Sequence, residues 1–283
     1  MAGHRPDWVR AIPFIILHLG CFLVIWVGWS WPAVITAVVL YVVRMFGITG
    51  FYHRYFSHRT FQCPRWVAAA GAVLGAASAQ RGPLWWAAHH RHHHRHSDHD
   101  PDKHSPVKQG FWHSHVLWFL CPDNFATDKK EVKDLADRIE LRFLDRFDWT
   151  IPIMLGVGCW LLGWWWQQYD PTTGPWQLLV WGFFVSTICC HHGTFTINSL
   201  AHRWGSRPYK TTDDSRNNLF LALITLGEGW HNNHHRYAAS ARQGFRWFQI
   251  DITFWILTMM SWVGLVSKIK PVPQKIIDEA GTA

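Results

Sequence analysis

Residues 85–98 read WWAAHHRHHHRHSD, and the rest of the chain is organised around this stretch. Residues 89–95 are all histidine or arginine, and His96 follows them. A run of this kind is not buried in an apolar core without partners. If the stretch is helical, His90, His93 and His94 stand at positions i, i+3 and i+4 and share one face. Three imidazoles on one face can converge on a metal ion, so the sequence predicts a metal site that other segments complete.

Three other segments carry imidazole or amide side chains. Residues 53–58 read HRYFSH, residues 198–202 read NSLAH and residues 231–235 read HNNHH. His58 follows His53 by five residues, about 140° around an ideal α-helix, so the two need not bind the same metal. The four segments supply one asparagine and nine histidines as candidate ligands: Asn198, His53, His58, His90, His93, His94, His202, His231, His234 and His235.

The size and chemistry of this ligand set predict two metal ions. One metal ion rarely takes more than about four to six protein ligands, and ten candidates exceed that number. The four segments contain no cysteine, which argues against a closed structural zinc site. Neutral imidazole suits zinc, copper, iron and nickel, so the spacing alone leaves the identity of the metal open.

The remaining sequence predicts an all-α integral membrane protein. Hydrophobic residues make up 49% of the 283 residues and 21 are tryptophan, which concentrates at membrane–water interfaces. We expect four transmembrane helices in two hairpins, with a cytoplasmic helical cap that carries the histidines, all in one domain (residues 1–283). The expected spans cover residues 11–30, 33–50, 149–166 and 175–197, and the cap covers residues 53–147 and 198–283.

The distribution of basic residues predicts the orientation of the chain. The turns at residues 30–33 and 167–175 contain no lysine or arginine, whereas the segments at the other membrane face are rich in them. By the positive-inside rule, both termini and all histidine segments face the cytoplasm. Residues 66–80 are apolar, but a crossing there would separate the first two histidine segments, so we expect an interfacial helix. We expect the same of residues 244–267.

In this order and between apolar segments, HRYFSH, HRHHH, NSLAH and HNNHH resemble the histidine boxes of the membrane-bound fatty acyl desaturases. The resemblance covers about residues 11–270 and is strongest to the Δ9 (stearoyl-CoA type) branch, in its bacterial form. It implies O₂-dependent insertion of a cis Δ9 double bond into a saturated acyl chain, with two Fe²⁺ ions. It assigns one iron to His53, His90, His94 and His234, with Asn198 reaching it through water, and the other iron to His58, His93, His202, His231 and His235.

The implied chemistry agrees with what the residues allow. A saturated C–H bond has no acidic proton and no leaving group, so its oxidation needs oxygen activated by a redox-active metal. Zinc is redox-silent. Two of the four electrons that reduce O₂ to water come from the acyl chain and two from an external donor. The chain has no GxGxxG motif after a strand, so we expect a separate electron donor: a ferredoxin, a rubredoxin or a cytochrome b5 with its reductase. The net charge of +8 suits an acidic donor, and no motif supports nucleic-acid binding.

The resemblance also suggests where the substrate lies. It places the closed end of an acyl tunnel at Tyr41 and Ala37, on the second expected span. Animal acyl-CoA members carry Arg-Asp where this chain has Ala88 and His89. The acyl carrier therefore stays open between a thioester (of CoA or acyl-carrier protein) and a membrane lipid. The candidate contacts to a phosphate-bearing head group are Arg81, Lys129 and Lys130.

Two other function classes compete with desaturation. A histidine-box lipid or alkane hydroxylase, or a carotenoid ketolase, would share the oxygen chemistry, although the NSLAH segment after the fourth expected span favours desaturation. A multi-histidine metal-handling membrane protein would place histidines along the spans rather than beyond their ends. His191 and His192 do lie within an expected span, and the sequence assigns them no role beyond contact with the site.

Overall fold

The computed structural model describes residues 5–280, so residues 1–4 and 281–283, which include both termini, lie outside the described part. The described residues confirm the predicted all-helical class. The described residues form isolated bridges but no β-strand. The α-helices are α1 (Ile12–Cys21), α2 (Val24–Val27), α3 (Trp31–Phe46), α4 (Arg65–Ala76), α5 (Pro83–His96), α6 (Pro106–Gln109), α7 (Ile139–Arg146), α8 (Thr150–Trp166), α9 (Pro175–Leu179), α10 (Ser186–Ser199), α11 (Leu219–Ile224), α12 (His231–Arg236), α13 (Ile252–Trp262) and α14 (Gln274–Asp278). Wider π-helical turns cover Gly47–Ser57, His113–Leu117 and Val180–Val185, and 3₁₀ turns cover Trp118–Leu120, Pro122–Asn124 and Leu200–His202.

The longest apolar helix near the N-terminus begins at a capped turn and ends among the histidines. The hydroxyl of Ser30 accepts a hydrogen bond from the amide of Ala33 (3.3 Å), and Pro32 occupies the first turn. Helix α3 then passes without a break into the π-helical segment, giving one helix over Trp31–Ser57, 27 residues long. The helix is longer than the expected span at 33–50 because it continues through His53.

A second long helix runs over Pro175–His202, through α9, a π-helical segment and α10, and also exceeds its expected span. Helix α8 is shorter and meets α7 at a bend of 75°. The apolar stretch Ile12–Val27 is interrupted between α1 and α2. In residues 5–280, therefore, two helices are long and apolar enough to cross a membrane, or three if the α7–α8 pair is one bent span.

The two predicted turns meet at the end of the bundle opposite the histidines. Ser30 donates a hydrogen bond from its hydroxyl to the Gln177 side-chain oxygen (2.6 Å), and the Gln177 amide donates to the carbonyl of Val27 (2.9 Å). The indole N–H of Trp181 donates to the carbonyl of Gly28 (2.8 Å). These bonds join the turn before α3 to the first two turns of the helix that begins with α9, so both long helices start at the same end.

Arg44 is buried inside the bundle, where an unpaired charge would be costly. Its guanidinium donates to the Ala77 carbonyl (3.1 Å), the Thr187 hydroxyl (2.7 Å) and the Ser186 hydroxyl. These acceptors lie just after α4 and on α10. The residue that interrupts the apolar pattern of α3 thus joins three helices.

Helix α4 packs closely against the π-helical segment because small residues face it. A Cβ at Gly71 would lie 2.1 Å from the ring of Phe51, and one at Gly75 would lie 2.3 Å from the ring of Tyr52. With 12 residues, α4 is about 18 Å long, which is less than the roughly 30 Å of a bilayer core. This length is compatible with the interfacial position expected for residues 66–80. Helix α13 has 11 residues and is likewise compatible with the interfacial position expected for residues 244–267.

Candidate metal centre

The candidate histidines gather into two adjoining groups. Within each group, the ring nitrogens lie within 4.8 Å of one another. The first histidine cluster consists of His53, His58, His90, His94 and His234. The second histidine cluster consists of His93, His202, His231 and His235. The two clusters touch where the rings of His94 and His235 stack at a centroid distance of 4.5 Å.

In the first histidine cluster, ring nitrogens face one another at hydrogen-bond distance. The Nε2 atoms of His58 and His90 are 2.7 Å apart, and the Nε2 of His234 lies 3.0 Å from that of His53. The Nε2 of His94 is 2.9 Å from the same His234 atom. Five nitrogens that point toward one small volume are arranged as ligands of a common ion.

His58 lies closer to His53 than the ligand assignment implied by the resemblance suggests, in which the two residues bind different irons. The angle of about 140° between the two residues assumed an α-helix, but residues 47–57 form a π-helix. In a π-helix one turn closes on residue i+5. The amide of His58 accordingly donates to the carbonyl of His53 (3.1 Å), and the two rings are 4.8 Å apart. His58 therefore belongs to the first cluster, not to the second.

The second histidine cluster is built from α5, α12 and the 3₁₀ turn after α10. The Nε2 atoms of His202 and His231 are 3.1 Å apart. The Nε2 of His235 is buried and has no hydrogen-bond partner among the described residues. A buried imidazole lone pair without a partner is costly unless something binds it. This orphaned atom, in an all-nitrogen donor set, fits a bound transition-metal ion.

Four buried carboxylates orient the histidines from behind, a role that was not predicted from the sequence. His93 lies 3.0 Å through Nδ1 from Asp102, His202 lies 2.8 Å from Asp98, and His235 lies 2.7 Å from Asp213. In the first cluster, His53 Nδ1 lies 2.5 Å from the carboxylate of Glu228. Because an ionised carboxylate only accepts, each Nδ1 carries the proton and each Nε2 is left free to bind a metal.

Burial keeps most of these imidazoles neutral at neutral pH. Burial and then the charges of neighbouring histidines lower the pKa of the following side chains well below 6.5: His58, His90, His94, His231 and His234. Burial lowers the pKa of His235 to about 4, although Asp213 opposes the shift. Burial also lowers the pKa of His93, but Asp102 outweighs that effect and the net pKa is raised. Neutral imidazole is the form that binds a metal.

A narrow cavity of about 40 Å³ opens between the two clusters and the apolar helices. His53 and His90 line it from the first cluster, and His93 and His231 line it from the second. Asn198 also lines it, so the structure brings this candidate ligand to the same site. The remaining wall includes apolar and aromatic side chains, namely Met45, Ile48, Trp86 and Ile197.

The two candidate tunnel residues lie farther along α3 from the histidines. Tyr41 packs beside Met45, which lines the cavity, and its hydroxyl donates to the carbonyl of Ile224. Ala37 is buried one helical turn beyond Tyr41. This order places Tyr41 between the cavity and the more distant part of the bundle.

The candidate head-group residues do not form one group. Arg81 pairs with Asp148 (2.8 Å) and lies over the ring of Trp85, at the edge of an open surface depression that Arg10 also lines. Lys129 and Lys130 are exposed in a turn, and no contact in residues 5–280 joins them to Arg81.

Several other histidines lie outside the two clusters, and most of them form side-chain hydrogen bonds. His192 joins His18 through Nε2 (3.1 Å) and His115 through Nδ1 (3.0 Å). His115 in turn lies 2.9 Å from the Ser199 hydroxyl, beside Asn198. His191 donates to the Ser78 carbonyl (2.9 Å). His113 lies 3.3 Å from the carbonyl of Lys103. His104 stacks on His93 at 4.4 Å, and these two with Asp102 form a third close group that shares His93 with the second cluster.

Long apolar helices that end in two clusters of histidine define a membrane protein of the polyhistidine metal-enzyme class. Residues 29–260 match the family model described as fatty acid desaturase. The Delta-9 acyl-lipid desaturase 1 of Arabidopsis thaliana is 38% identical over 270 residues, 94% of this chain and 84% of the relative. The sn-1 stearoyl-lipid 9-desaturase of Anabaena variabilis is 36% identical over 95% of this chain and 96% of the relative. The Acyl-CoA C20 Delta5-desaturase of Anemone leveillei is 36% identical over 95% of this chain and 85% of the relative.

This chain belongs to the fatty acid desaturase family and is an oxidoreductase of that class. The resemblance drawn from the histidine boxes is thereby confirmed. The histidine clusters are consistent with the di-iron site that the family implies.

Proposed function

We propose that this protein is a Δ9 desaturase that acts on acyl chains esterified in membrane lipids and uses two iron ions. The observation that carries the proposal is the pair of histidine clusters that share one cavity at the end of the apolar helices. The Δ9 position and the lipid substrate are suggested by relatives such as the Arabidopsis and Anabaena enzymes, whose names state both.

The first histidine cluster would hold one iron and the second histidine cluster the other. The donor set supports this, because nine imidazoles in two groups match two nitrogen-ligated metals and Asn198 adds a polar side chain at the shared cavity. When bound, the irons would supply the redox chemistry that oxidises an unactivated C–H bond at the expense of O₂. The protein's own part is to hold the imidazoles neutral and oriented, through burial and through the four carboxylates.

The acyl chain would lie along the apolar wall of the cavity and end at Tyr41. The present volume of about 40 Å³ is smaller than the roughly 300–1,000 Å³ of ordinary ligand pockets, so wall side chains must move when the chain enters. Met45 is suited to that movement because methionine is unbranched and adapts its shape. Tyr41 and Ala37, farther along the same helix, would then limit the length of the chain.

The lipid carrier is favoured over CoA by two observations. Ala88 and His89 stand where animal acyl-CoA members have Arg-Asp, and both are buried, so neither offers a charged contact to a nucleotide. The candidate basic contacts are also dispersed, with Arg81 paired to Asp148 and away from Lys129 and Lys130. A head group at the membrane surface needs fewer contacts than a free CoA, since the bilayer already holds the lipid.

We propose that the chain crosses the membrane four times, in two hairpins formed by residues 11–30 with 33–50 and 149–166 with 175–197, as one domain with a cytoplasmic cap. The hydrogen bonds of Ser30 with Thr173 and Gln177 support this, because they put the two turns that lack lysine and arginine at one end. Exposed apolar side chains support a crossing by the first segment, where Ile25 is 82% and Trp26 is 85% exposed. The histidine clusters and both termini then face the cytoplasm.

The electrons would come from a separate protein, a ferredoxin, a rubredoxin or a cytochrome b5 with its reductase. The net charge of +8 suits a donor with an acidic face.

The test is expression in a host that lacks its own desaturase, followed by mass spectrometry of each lipid class with localisation of the double bond. We expect new Δ9-monounsaturated chains in glycerolipids, with a His231→Ala variant as the inactive control. Hydroxylated chains would contradict desaturation. Monounsaturated chains that form first in the acyl-CoA pool, before they reach the lipids, would contradict the lipid carrier alone.

A further inference from the structure

The two histidine clusters differ in the charge that surrounds them. In the second histidine cluster, three of the four imidazoles contact a buried aspartate through Nδ1: Asp98, Asp102 and Asp213. In the first histidine cluster, which has five imidazoles, Glu228 is the one acidic residue that reaches a ring nitrogen within the described part of the chain.

The glutamate of the first histidine cluster is also neutralised by a cation. Arg54, itself fully buried, lies 3.0 Å from the Glu228 carboxylate. The Gln243 amide donates to the other oxygen of Glu228 (2.7 Å), which further spreads its charge. Arg54 also pairs with Asp251 (2.9 Å). The first cluster therefore has a carboxylate partner whose charge is partly compensated on its far side by an arginine that it shares with Asp251.

The three aspartates of the second histidine cluster have no such balance. Apart from histidine, their hydrogen-bond donors are neutral: Asp98 accepts from the Ser105 hydroxyl (2.6 Å) and the Asp214 amide (2.8 Å). Asp102 accepts from the amide of Asp98 (3.0 Å), and Asp213 accepts from the amide of Ser215 (3.0 Å). No lysine or arginine nitrogen of residues 5–280 forms a salt bridge with the carboxylate of any of the three, although Arg207 donates to the backbone carbonyl of Asp213.

This difference acts on whatever cation the clusters hold. A carboxylate that accepts from Nδ1–H makes the imidazole more basic and fixes its direction, and its own negative charge attracts the metal. In a buried site such charges are weakly screened, so three uncompensated carboxylates outweigh one that is paired with arginine. Asp102 holds His93 of α5, Asp98 holds His202 of the 3₁₀ turn after α10, and Asp213 holds His235 of α12, which fixes the shape of the second cluster.

From this asymmetry we infer that the two metal positions are unequal: the second histidine cluster binds its ion tightly, and the first histidine cluster holds the ion that leaves first. The inference rests on the proposed pair of metal ions. Asp98, Asp102 and Asp213 are positioning residues of the tight position, and Glu228 is the positioning residue of the exchangeable one.

The experiment uses the full chain in lipid nanodiscs, stripped of metal and loaded with Co²⁺. Graded chelator is then added, and the cobalt that remains is followed by elemental analysis and by its visible absorption. The wild-type protein should bind two ions and release them in two separate steps. Asp213→Asn should lower the chelator concentration of the later release step by roughly 10–100-fold and leave that of the earlier step unchanged. Glu228→Gln should weaken only the earlier step.

A matched control is available in the neighbouring residue. Asp214 is 40% exposed and pairs with Arg207, and it contacts the site only through its backbone, so Asp214→Asn should release both ions as the wild type does. Asp213→Glu, which keeps the charge, should recover part of the later step. Circular dichroism and gel filtration of the stripped variants report folding, and Asp102→Asn repeats the test if Asp213→Asn does not fold.

The outcomes separate the inference from the proposed function. Release of two ions in a single step, or an effect of Asp213→Asn on the earlier step, overturns the inference alone. A wild-type protein that binds only one ion overturns the two-metal function and the inference with it.

Discussion

Replacing Tyr41 by alanine should lengthen the acyl chains that the enzyme accepts. The ring stands beside the cavity-lining Met45, its hydroxyl is fixed to the carbonyl of Ile224, and Gly193 leaves room for it on the opposite helix. A Cβ at Gly193 would lie 2.9 Å from the Tyr41 hydroxyl oxygen, so the ring fills this level of the bundle. Tyr41→Ala removes the ring and leaves space beyond Met45.

The size of the effect follows from the burial of the added methylenes. Each buried CH₂ contributes about 0.8 kcal/mol, so arachidate, which is two methylenes longer than stearate, gains about 1.6 kcal/mol. A tenfold rate ratio corresponds to about 1.36 kcal/mol, so the preference for arachidate over stearate should rise by about 15-fold in kcat/KM. The assay is the product ratio in cells that lack a desaturase and are supplied with both acids.

Tyr41→Phe is the control, because it removes the hydroxyl and keeps the ring. Its product ratio should stay within about twofold of the wild type, since the space beyond Met45 remains closed. An unchanged ratio in a folded Tyr41→Ala protein would refute the placement of the tunnel end. The same increase in Tyr41→Phe would show that the hydrogen bond, not the ring, sets chain length.

Three further predictions concern stability, pH and electron supply. Gly71→Ala should destabilise the protein by about 1–3 kcal/mol, because the new Cβ would lie 2.1 Å from the ring of Phe51. Gly158→Ala is the control and should leave stability unchanged, because its Cβ would have no neighbour within 4 Å. Thermal unfolding measures both variants. The metal-free protein should lose stability as the pH falls from 6.5 toward 4, because His235 takes up a proton over this range in the unfolded chain but not in the buried native site. The measurement is the midpoint temperature of thermal unfolding at each pH. A midpoint that does not change across this range would contradict the burial argument. The purified enzyme should turn over only with an added redox protein and its reductase, and oxygen-dependent turnover without one would exclude an external donor.

The histidine clusters could be predicted from the sequence because their spacing is local. His90 and His94 fall on one face of α5, and His231 and His235 fall on one face of α12, as the i and i+4 positions require. The all-helical class followed from the long apolar runs for the same reason. These features depend on neighbours within one helix, so they can be read along the chain.

The positions that the sequence did not predict depend on packing between segments. The π-helix over residues 47–57 changes the helical period, and nothing in HRYFSH distinguishes it from an α-helix, so the sequence did not predict that His58 lies beside His53 in the first cluster. Asp98 and Glu228 stand close to histidine segments in the sequence, a signal that could have marked them as partners. Which imidazole each one contacts is set by the fold: Asp98 reaches His202, 104 residues away.

The interruption of the first apolar segment is another feature that hydropathy alone does not show. Residues 11–30 are uncharged and long enough for a span, yet the helix breaks between Cys21 and Val24. Hydropathy reports only how apolar the segment is, and it does not mark residues 22 and 23 as the place where the helix is interrupted.

The central claim is that nine histidines in two clusters hold two irons. It is tested most directly by the iron content of the anaerobically reconstituted protein, in the wild type and in variants that remove one ligand from each cluster. The account predicts two irons per chain in the wild type and close to one in both His58→Ala and His202→Ala, each with a different Mössbauer signal. A single iron in the wild type, or the loss of the same signal in both variants, would contradict it.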